Sequence, residues 1–276
     1  MKVEILHKDD YHLQFIVEGI SVEMANAIRR ILLTEIPVMA IDEVIILKND
    51  SPLYDEIVAH RLGLIPLTTD LEVYKLPREC ECGGYGCPLC QVSLTCEITN
   101  DTNQSKIIYS KDLKSNDPKV VPVQPDIPIL KIDKEDKVIL EAYAILGKAK
   151  EHARWQAVSN VFYRYYPVVE FDDKNCKNCA DKCIAARMCP KDLFKFEEKD
   201  KAPELIKDYW KTCNLCRSCE ENCPEGSINV GYKDQTYIFS IESDGVLPFD
   251  VLIEKTFEIF KGKIDEFYQK LEEIEI

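Results

Sequence analysis

The residues best suited to chemistry in this sequence are its cysteines. Thirteen occur in 276 residues, and twelve of them fall into three groups of four. One group reads Cys213-x2-Cys216-x2-Cys219-x3-Cys223-Pro224. This is the spacing of an iron–sulfur loop in which the fourth cysteine ligates the other cluster of a pair. Upstream, Cys176-x2-Cys179-x3-Cys183-x5-Cys189-Pro190 repeats the pattern with stretched gaps. Crossed ligation assigns one iron–sulfur cluster, [4Fe-4S] or [3Fe-4S], to Cys213, Cys216, Cys219 and Cys189. Cys176, Cys179, Cys183 and Cys223 then hold a second cluster, or they are disulfides or free thiols. The x3 gap in the first motif moves its third sulfur, so a single cluster is the expectation.

The third group is Cys80-x-Cys82-x4-Cys87-x2-Cys90, with Gly83, Gly84 and Gly86 between the cysteines. Four thiolates on glycine-rich turns suit a tetrahedral structural Zn2+. The irregular first gap leaves disulfides or empty thiols open. His7, His12, His60 and His152 lie outside all three groups, so mixed Cys/His ligation is not expected. Cys96 is left over and reads as a small buried apolar residue. There is no phosphate-binding glycine loop, no Asp-x-Asp carboxylate pair and no nucleophile motif, so no catalytic residue is assigned.

The cysteines need a scaffold, and composition bounds it. At 276 residues the chain has room for two or three domains. A formal net charge of −14 disfavours a direct grip on nucleic acid, where phosphate neutralisation supplies most of the affinity. No run approaches the ~18–20 apolar residues of a membrane span. The start, Met1-Lys2-Val3-Glu4, lacks an apolar signal region. The expectation is a cytoplasmic protein with no membrane partner, in which cysteines serve metals before disulfides.

Alternation at Val3, Ile5 and at Leu13, Phe15, Val17 predicts two strands joined by a turn at Asp9-Asp10. Ser21 is a candidate cap for a helix with Met24, Ile28, Ile31 and Leu32 on one face and Arg29, Arg30 toward the other. Pro37 ends it, and a strand follows over 38–48. From about 50 to 158 the texture is that of loops and short strands. Strands return at 161–171 and 232–242. A long helix begins near Pro248, with Ile253, Phe257, Phe260, Ile264, Phe267 and Leu271 stepping by 4, 3, 4, 3 and 4. That is a heptad seam, which packs either on its own domain or on a partner chain.

Two stretches carry a family resemblance: Glu23-Met24-Ala25-Asn26-Ala27-Ile28-Arg29-Arg30-Ile31-Leu32-Leu33 with Glu35-Ile36-Pro37, and Asp55-Glu56-Ile57-Val58-Ala59-His60-Arg61-Leu62-Gly63-Leu64-Ile65-Pro66-Leu67. A third, Gly147-Lys148-Ala149-Lys150-Glu151-His152-Ala153-Arg154-Trp155, agrees with them. Together they resemble the α-type subunits of cellular RNA polymerases, in the archaeal branch that carries a ferredoxin-like insert. The resemblance implies an α+β fold: a discontinuous α-subunit-type dimerisation domain at 1–48, 159–171 and 226–276, an inserted β-rich domain at 49–158, and a ferredoxin-like iron–sulfur domain at 172–225. It implies a non-catalytic scaffold that forms a heterodimer with the smaller α-like subunit L, then recruits the small subunits N and P and the large catalytic subunits, meeting DNA only through the holoenzyme. Arg29, Arg30, His60 and Arg61 would contact neighbouring subunits, or brace the fold. The cysteine group at 80–90 is similar to a zinc loop of the eukaryotic counterpart, with one residue more. Two rivals remain: an iron–sulfur electron-transfer subunit of an oxidoreductase, supported by the cysteine run alone, and a DNA-binding zinc protein, which the charge disfavours.

Overall fold

The computed structural model describes residues 1–172, 183–195 and 204–274. Cys176 and Cys179 therefore lie outside the described residues. The first elements are β1 (Lys2–Lys8), β2 (His12–Glu18), α1 (Val22–Thr34), β3 (Pro37–Asn49) and α2 (Asp55–Gly63). There follow β4 (Gln91–Thr99), β5 (Lys106–Tyr109), β6 (Lys114–Ser115), β7 (Pro128–Ile132), β8 (Lys137–Lys148) and β9 (Asn160–Phe171). The chain ends with α3 (Ile184–Arg187), β10 (Phe194–Lys195), β11 (Glu204–Leu205), α4 (Tyr209–Thr212), α5 (Ser218–Glu221), β12 (Ile228–Glu242) and α6 (Phe249–Glu273). These pack as two units, one of Met1–Glu4, Phe15–Val22 and Tyr163–Phe239, the other of Ile5–Gln14, Glu23–Phe162 and Ser240–Ile276.

The larger unit is organised by β8. Its sheet runs β3-β8-β4-β6, with a separate β5-β7 pair. β3 and β8 are antiparallel from Pro37↔Lys148 to Asn49↔Val138, with irregularities between Ile41 and Glu43 and between Ile46 and Lys48. On its other edge β8 pairs β4 from Gln91↔Ile145 to Thr99↔Lys137. Strand side chains alternate between faces, so Val138, Leu140, Ala142, Ala144 and Leu146 all point one way, into the core. Val58 and Leu62 of α2 cover that face, with Val92, Leu94 and Cys96 of β4 beside them. Cys96 is buried as expected, and burial pushes its thiol up to about 11. The expectation of loops and short strands over this region thus holds for 100–132 but misses a twelve-residue central strand.

The three family-like stretches meet at the β3–β8 ribbon. The Lys150 N–H donates to the Thr34 carbonyl at 3.1 Å, tying the segment after β8 to the end of α1. Arg154 reaches back to β3: Nη1 donates to the carbonyls of Ile41 at 3.1 Å and Asp42 at 3.2 Å and pairs with Asp42 Oδ1 at 3.0 Å. Gly63, at the end of α2, leaves room for this, since a Cβ there would sit 3.3 Å from the Ile41 carbonyl oxygen. Trp155 lies on Gly147 and donates Nε1–H to the Ile145 carbonyl at 3.2 Å.

In the smaller unit, residues of β1, β2, β12 and β9 form a four-stranded sheet in that order. Rings gather on it: Phe15 stacks on Phe239 at 5.3 Å, and Tyr163, Tyr237, Tyr165 and Tyr232 meet in tilted or edge-on contacts with centroids 4.4–5.4 Å apart. The short β10-β11 pair and helices α3, α4 and α5 belong to the same unit. Among the described residues no helix is long and apolar enough to cross a membrane.

A Cβ added at Gly147 would lie 2.3 Å from the Trp155 ring, a clash that neither strand nor indole can relieve without moving. Gly147→Ala is expected to lower the unfolding free energy by about 1–3 kcal/mol, an overpacking cost. Urea denaturation of the two proteins checks this, and an unchanged midpoint would refute the packing.

Candidate metal centres and interface

The loop before β4 gathers Cys80, Cys82, Cys87 and Cys90. A 3-10 turn, Pro77–Glu79, delivers Cys80, and β4 begins at Gln91, so Cys90 is held by the strand. Tight turns close between them, with Gly83 N–H donating to the Cys80 carbonyl at 2.9 Å and Cys90 N–H to the Cys87 carbonyl at 3.0 Å. All four sulfurs lie within 4.8 Å of one another. Sγ–Sγ separations are 3.5 Å for 80–87, 80–82 and 82–90, and 3.7 Å for 87–90. A tetrahedron with metal–sulfur bonds of about 2.3 Å has edges of about 3.8 Å, whereas a disulfide needs about 2.0 Å. The described geometry is that of four free thiols that can hold one metal ion. Burial pushes the Cys90 thiol up to about 12. Burial also opposes ionisation of Cys82, but hydrogen bonds from Cys80, Cys87, Cys90 and the Gly84 backbone pull it down to about 6.

In the smaller unit a second set of thiols meets. Cys189, Cys213, Cys216 and Cys219 line one cavity, together with Val169, Leu193 and Val230. Cys189 follows α3, Cys213 and Cys216 come from the loop between α4 and α5, and Cys219 lies on α5. Two residues of that loop, Leu215 at φ +58 and Arg217 at φ +59, are left-handed without being glycine. Such a conformation costs about 1–2 kcal/mol per residue. Here it curls the backbone so that positions 213, 216 and 219 turn toward the same space. Cys213 and Cys219 are buried, and burial raises both thiols, Cys219 to about 11. Cys183 and Cys223 pack on the same apolar core but do not line the cavity. Cys223 Sγ accepts from the Ser227 N–H at 3.3 Å. With Cys176 and Cys179 outside the described residues, that second set is described in half.

The residues assigned to subunit contacts separate into two kinds. Arg29 is half-buried and donates Nε–H and Nη2–H to Asn26 Oδ1 at 3.2 and 3.0 Å on its own helix. Arg61 donates to the Pro128 carbonyl at 2.6 Å, while Arg30 and His60 are exposed. On α6 the first two turns are covered: Phe249, Leu252 and Thr256 are buried. Beyond them the seam emerges. Ile253 and Phe260 are half-buried, and Phe257, Ile264, Phe267 and Leu271 are 39%, 41%, 62% and 38% exposed.

One residue at the second thiol set has no counterpart in the sequence motifs. Arg164, on β9, reaches the backbone that carries Cys213, donating to three carbonyls. Its only signal is a lone charge within Val161-Phe162-Tyr163-Arg164-Tyr165-Tyr166.

Residues 40–162 match the family described as the RNA polymerase Rpb3/RpoA insert domain. Similar full-length proteins are DNA-directed RNA polymerase subunits Rpo3. The one from Methanosphaera stadtmanae is 44% identical over 91% of this chain and 92% of its own length. That from Methanosarcina mazei is 38% identical over 99% of both chains, and that from Pyrobaculum arsenaticum 38% over 98% and 96%. The mixed α/β architecture with several sheets is consistent with an RpoA-type fold.

The thiol set at 80–90 yields a direct expectation. Chain purified without chelator carries one equivalent of metal that Cys87→Ala and Cys90→Ala each abolish, measured by elemental analysis. Metal content unchanged in both variants would refute the site.

Proposed function

The chain belongs to the Rpo3 family of archaeal DNA-directed RNA polymerase subunits, and we propose that it acts there as the non-catalytic scaffold on which other subunits assemble. The observation that carries this reading is the exposed seam of α6. A helix of twenty-five residues that buries only its first turns against its own chain leaves four large apolar side chains in water. Covering each is worth about 1.5–3 kcal/mol, and a heptad seam is suited to a second helix. The proposed occupant is the smaller α-like subunit L. Small subunits N and P and the large catalytic subunits then join through surfaces that include Arg29, Arg30, His60 and Arg61, where arginine forks serve interface pairing. The holoenzyme, a cytoplasmic nucleotidyltransferase, is what meets DNA.

The domain division proposed with this role is dimerisation at 1–48, 159–171 and 226–276, an insert at 49–158 and a ferredoxin-like module at 172–225. Both thiol sets fit metals. The near-tetrahedral Sγ spacing at Cys80, Cys82, Cys87 and Cys90 supports a structural Zn2+. The shared cavity at Cys189, Cys213, Cys216 and Cys219 supports one iron–sulfur cluster; burial holds Cys213 and Cys219 toward the neutral thiol, and a bound cation would favour their thiolates. Such a cluster would contribute its binding free energy to the folding of the module. A second cluster at Cys176, Cys179, Cys183 and Cys223 is not needed for this role. The electron-transfer rival is not supported, because it leaves unexplained the full-length likeness to polymerase subunits.

Phe267 is well exposed, so Phe267→Asp should leave thermal unfolding of the isolated chain unchanged. It should weaken association with subunit L at least about thirtyfold, the loss of about 2 kcal/mol expected of a central apolar contact. Titration calorimetry on the purified pair reads this. Equal affinity of variant and parent would remove α6 from the interface.

A further inference from the structure

We propose that Arg164 is the positioning residue of the iron–sulfur site, fixing the loop that carries Cys213 and supplying the positive charge that offsets the cluster; this rests on the cluster assignment above. Strand geometry sets up the contact. Tyr163 and Tyr165 give one face of β9 to the ring contacts with Tyr237 and Phe239. Alternation sends Arg164 and Tyr166 to the opposite face. There Tyr166 stacks on Trp210 at 5.3 Å. Arg164 grips the backbone next to it: Nη1 donates to the carbonyls of Trp210 at 3.0 Å and Cys213 at 2.9 Å, and Nη2 to Lys211 at 2.6 Å. Three carbonyls at the end of α4, where the C-x2-C-x2-C loop begins, are thus held by one planar fork.

A cap of this kind is a known use of arginine at a helix end. Two features ask for more. The guanidinium is half-buried, and among the described residues no carboxylate lies within ion-pair distance of it. Half-burying a charge without a counter-charge carries part of the desolvation cost of a buried one, and partial negative carbonyls offset it only in part. The ionisable group beside it is the Cys213 thiol, on the residue whose carbonyl it already holds. Four thiolates around iron provide the missing negative charge. Reciprocally, a fixed cation beside a cluster stabilises its more negative, reduced state and raises its reduction potential. Lysine would keep the charge but not the three-carbonyl grip, and glutamine would keep some donors but not the charge.

The test uses the full chain, purified anaerobically, as parent, Arg164→Gln and Arg164→Lys. Iron content and the electron paramagnetic resonance signal of the dithionite-reduced protein are read first, followed by potentiometric titration. Arg164→Gln is expected to shift the midpoint to more negative potential. Arg164→Lys should hold the parent potential while losing iron to a chelator several-fold faster. If the glutamine variant does not retain iron, the lysine variant alone decides: a parent-like potential with faster iron loss supports the assignment, and a shifted potential overturns it. An unshifted potential in Arg164→Gln reduces Arg164 to a cap and overturns the proposal. A parent with no iron, or iron content unaffected by Cys216→Ser, overturns the cluster assignment itself, an outcome distinct from failure of the Arg164 role.

Discussion

The pairing of β3 with β8 is the constraint on which the larger unit depends. Eleven registered pairs join a strand that starts at Pro37 to one that ends at Lys148. Every family-like stretch is attached to this ribbon. α1 leads into β3, α2 follows it, and the segment 147–155 leaves β8 and folds back through Arg154 and Trp155. The exposed arginines and histidine of α1 and α2 are therefore displayed from a rigid base. The Cys80–Cys90 loop hangs from β4, the other neighbour of β8. Strained or metal-dependent loops need such a frame, because their geometry is set by what holds their ends.

Thiol burial is the second constraint. Desolvation penalises a thiolate, and four thiolates brought together repel one another. Both thiol sets bring together buried sulfurs that burial drives toward the neutral form, Cys90 in one and Cys219 in the other. A bound cation reverses that balance. Left-handed Leu215 and Arg217 add a local backbone cost that only a preferred loop shape makes worthwhile. The two sets differ in the space between sulfurs. One is compact enough for a single ion, and the other surrounds a cavity.

Much of this is legible from sequence where the signal is local. Alternation places β1 and β2, helical spacing places α1, a heptad seam places α6, and cysteine spacing groups Cys189 with Cys213, Cys216 and Cys219, which the structure brings to one cavity. β8 escapes the pattern although Val138, Leu140, Ala142, Ala144 and Leu146 alternate cleanly. Three of the four residues between them, Ile139, Tyr143 and Ile145, are also apolar, and Glu141 is the exception, which blurs the period. α2 escapes it because only Val58 and Leu62 of its first eight residues face the core. Arg164 leaves only a lone charge in an aromatic strand: its partners are carbonyls 46 to 49 residues away, and a carbonyl makes no mark in a sequence.

The outer part of α6 is the surface that we propose another subunit covers. Amide hydrogen exchange over residues 257–273, in the free chain and in the proposed complex with subunit L, tests it most directly. Protection that rises by orders of magnitude in this segment on complex formation, with β3 and β8 unchanged, is the predicted result. Association that leaves exchange in α6 unaltered would contradict it and place the scaffold's working surface elsewhere.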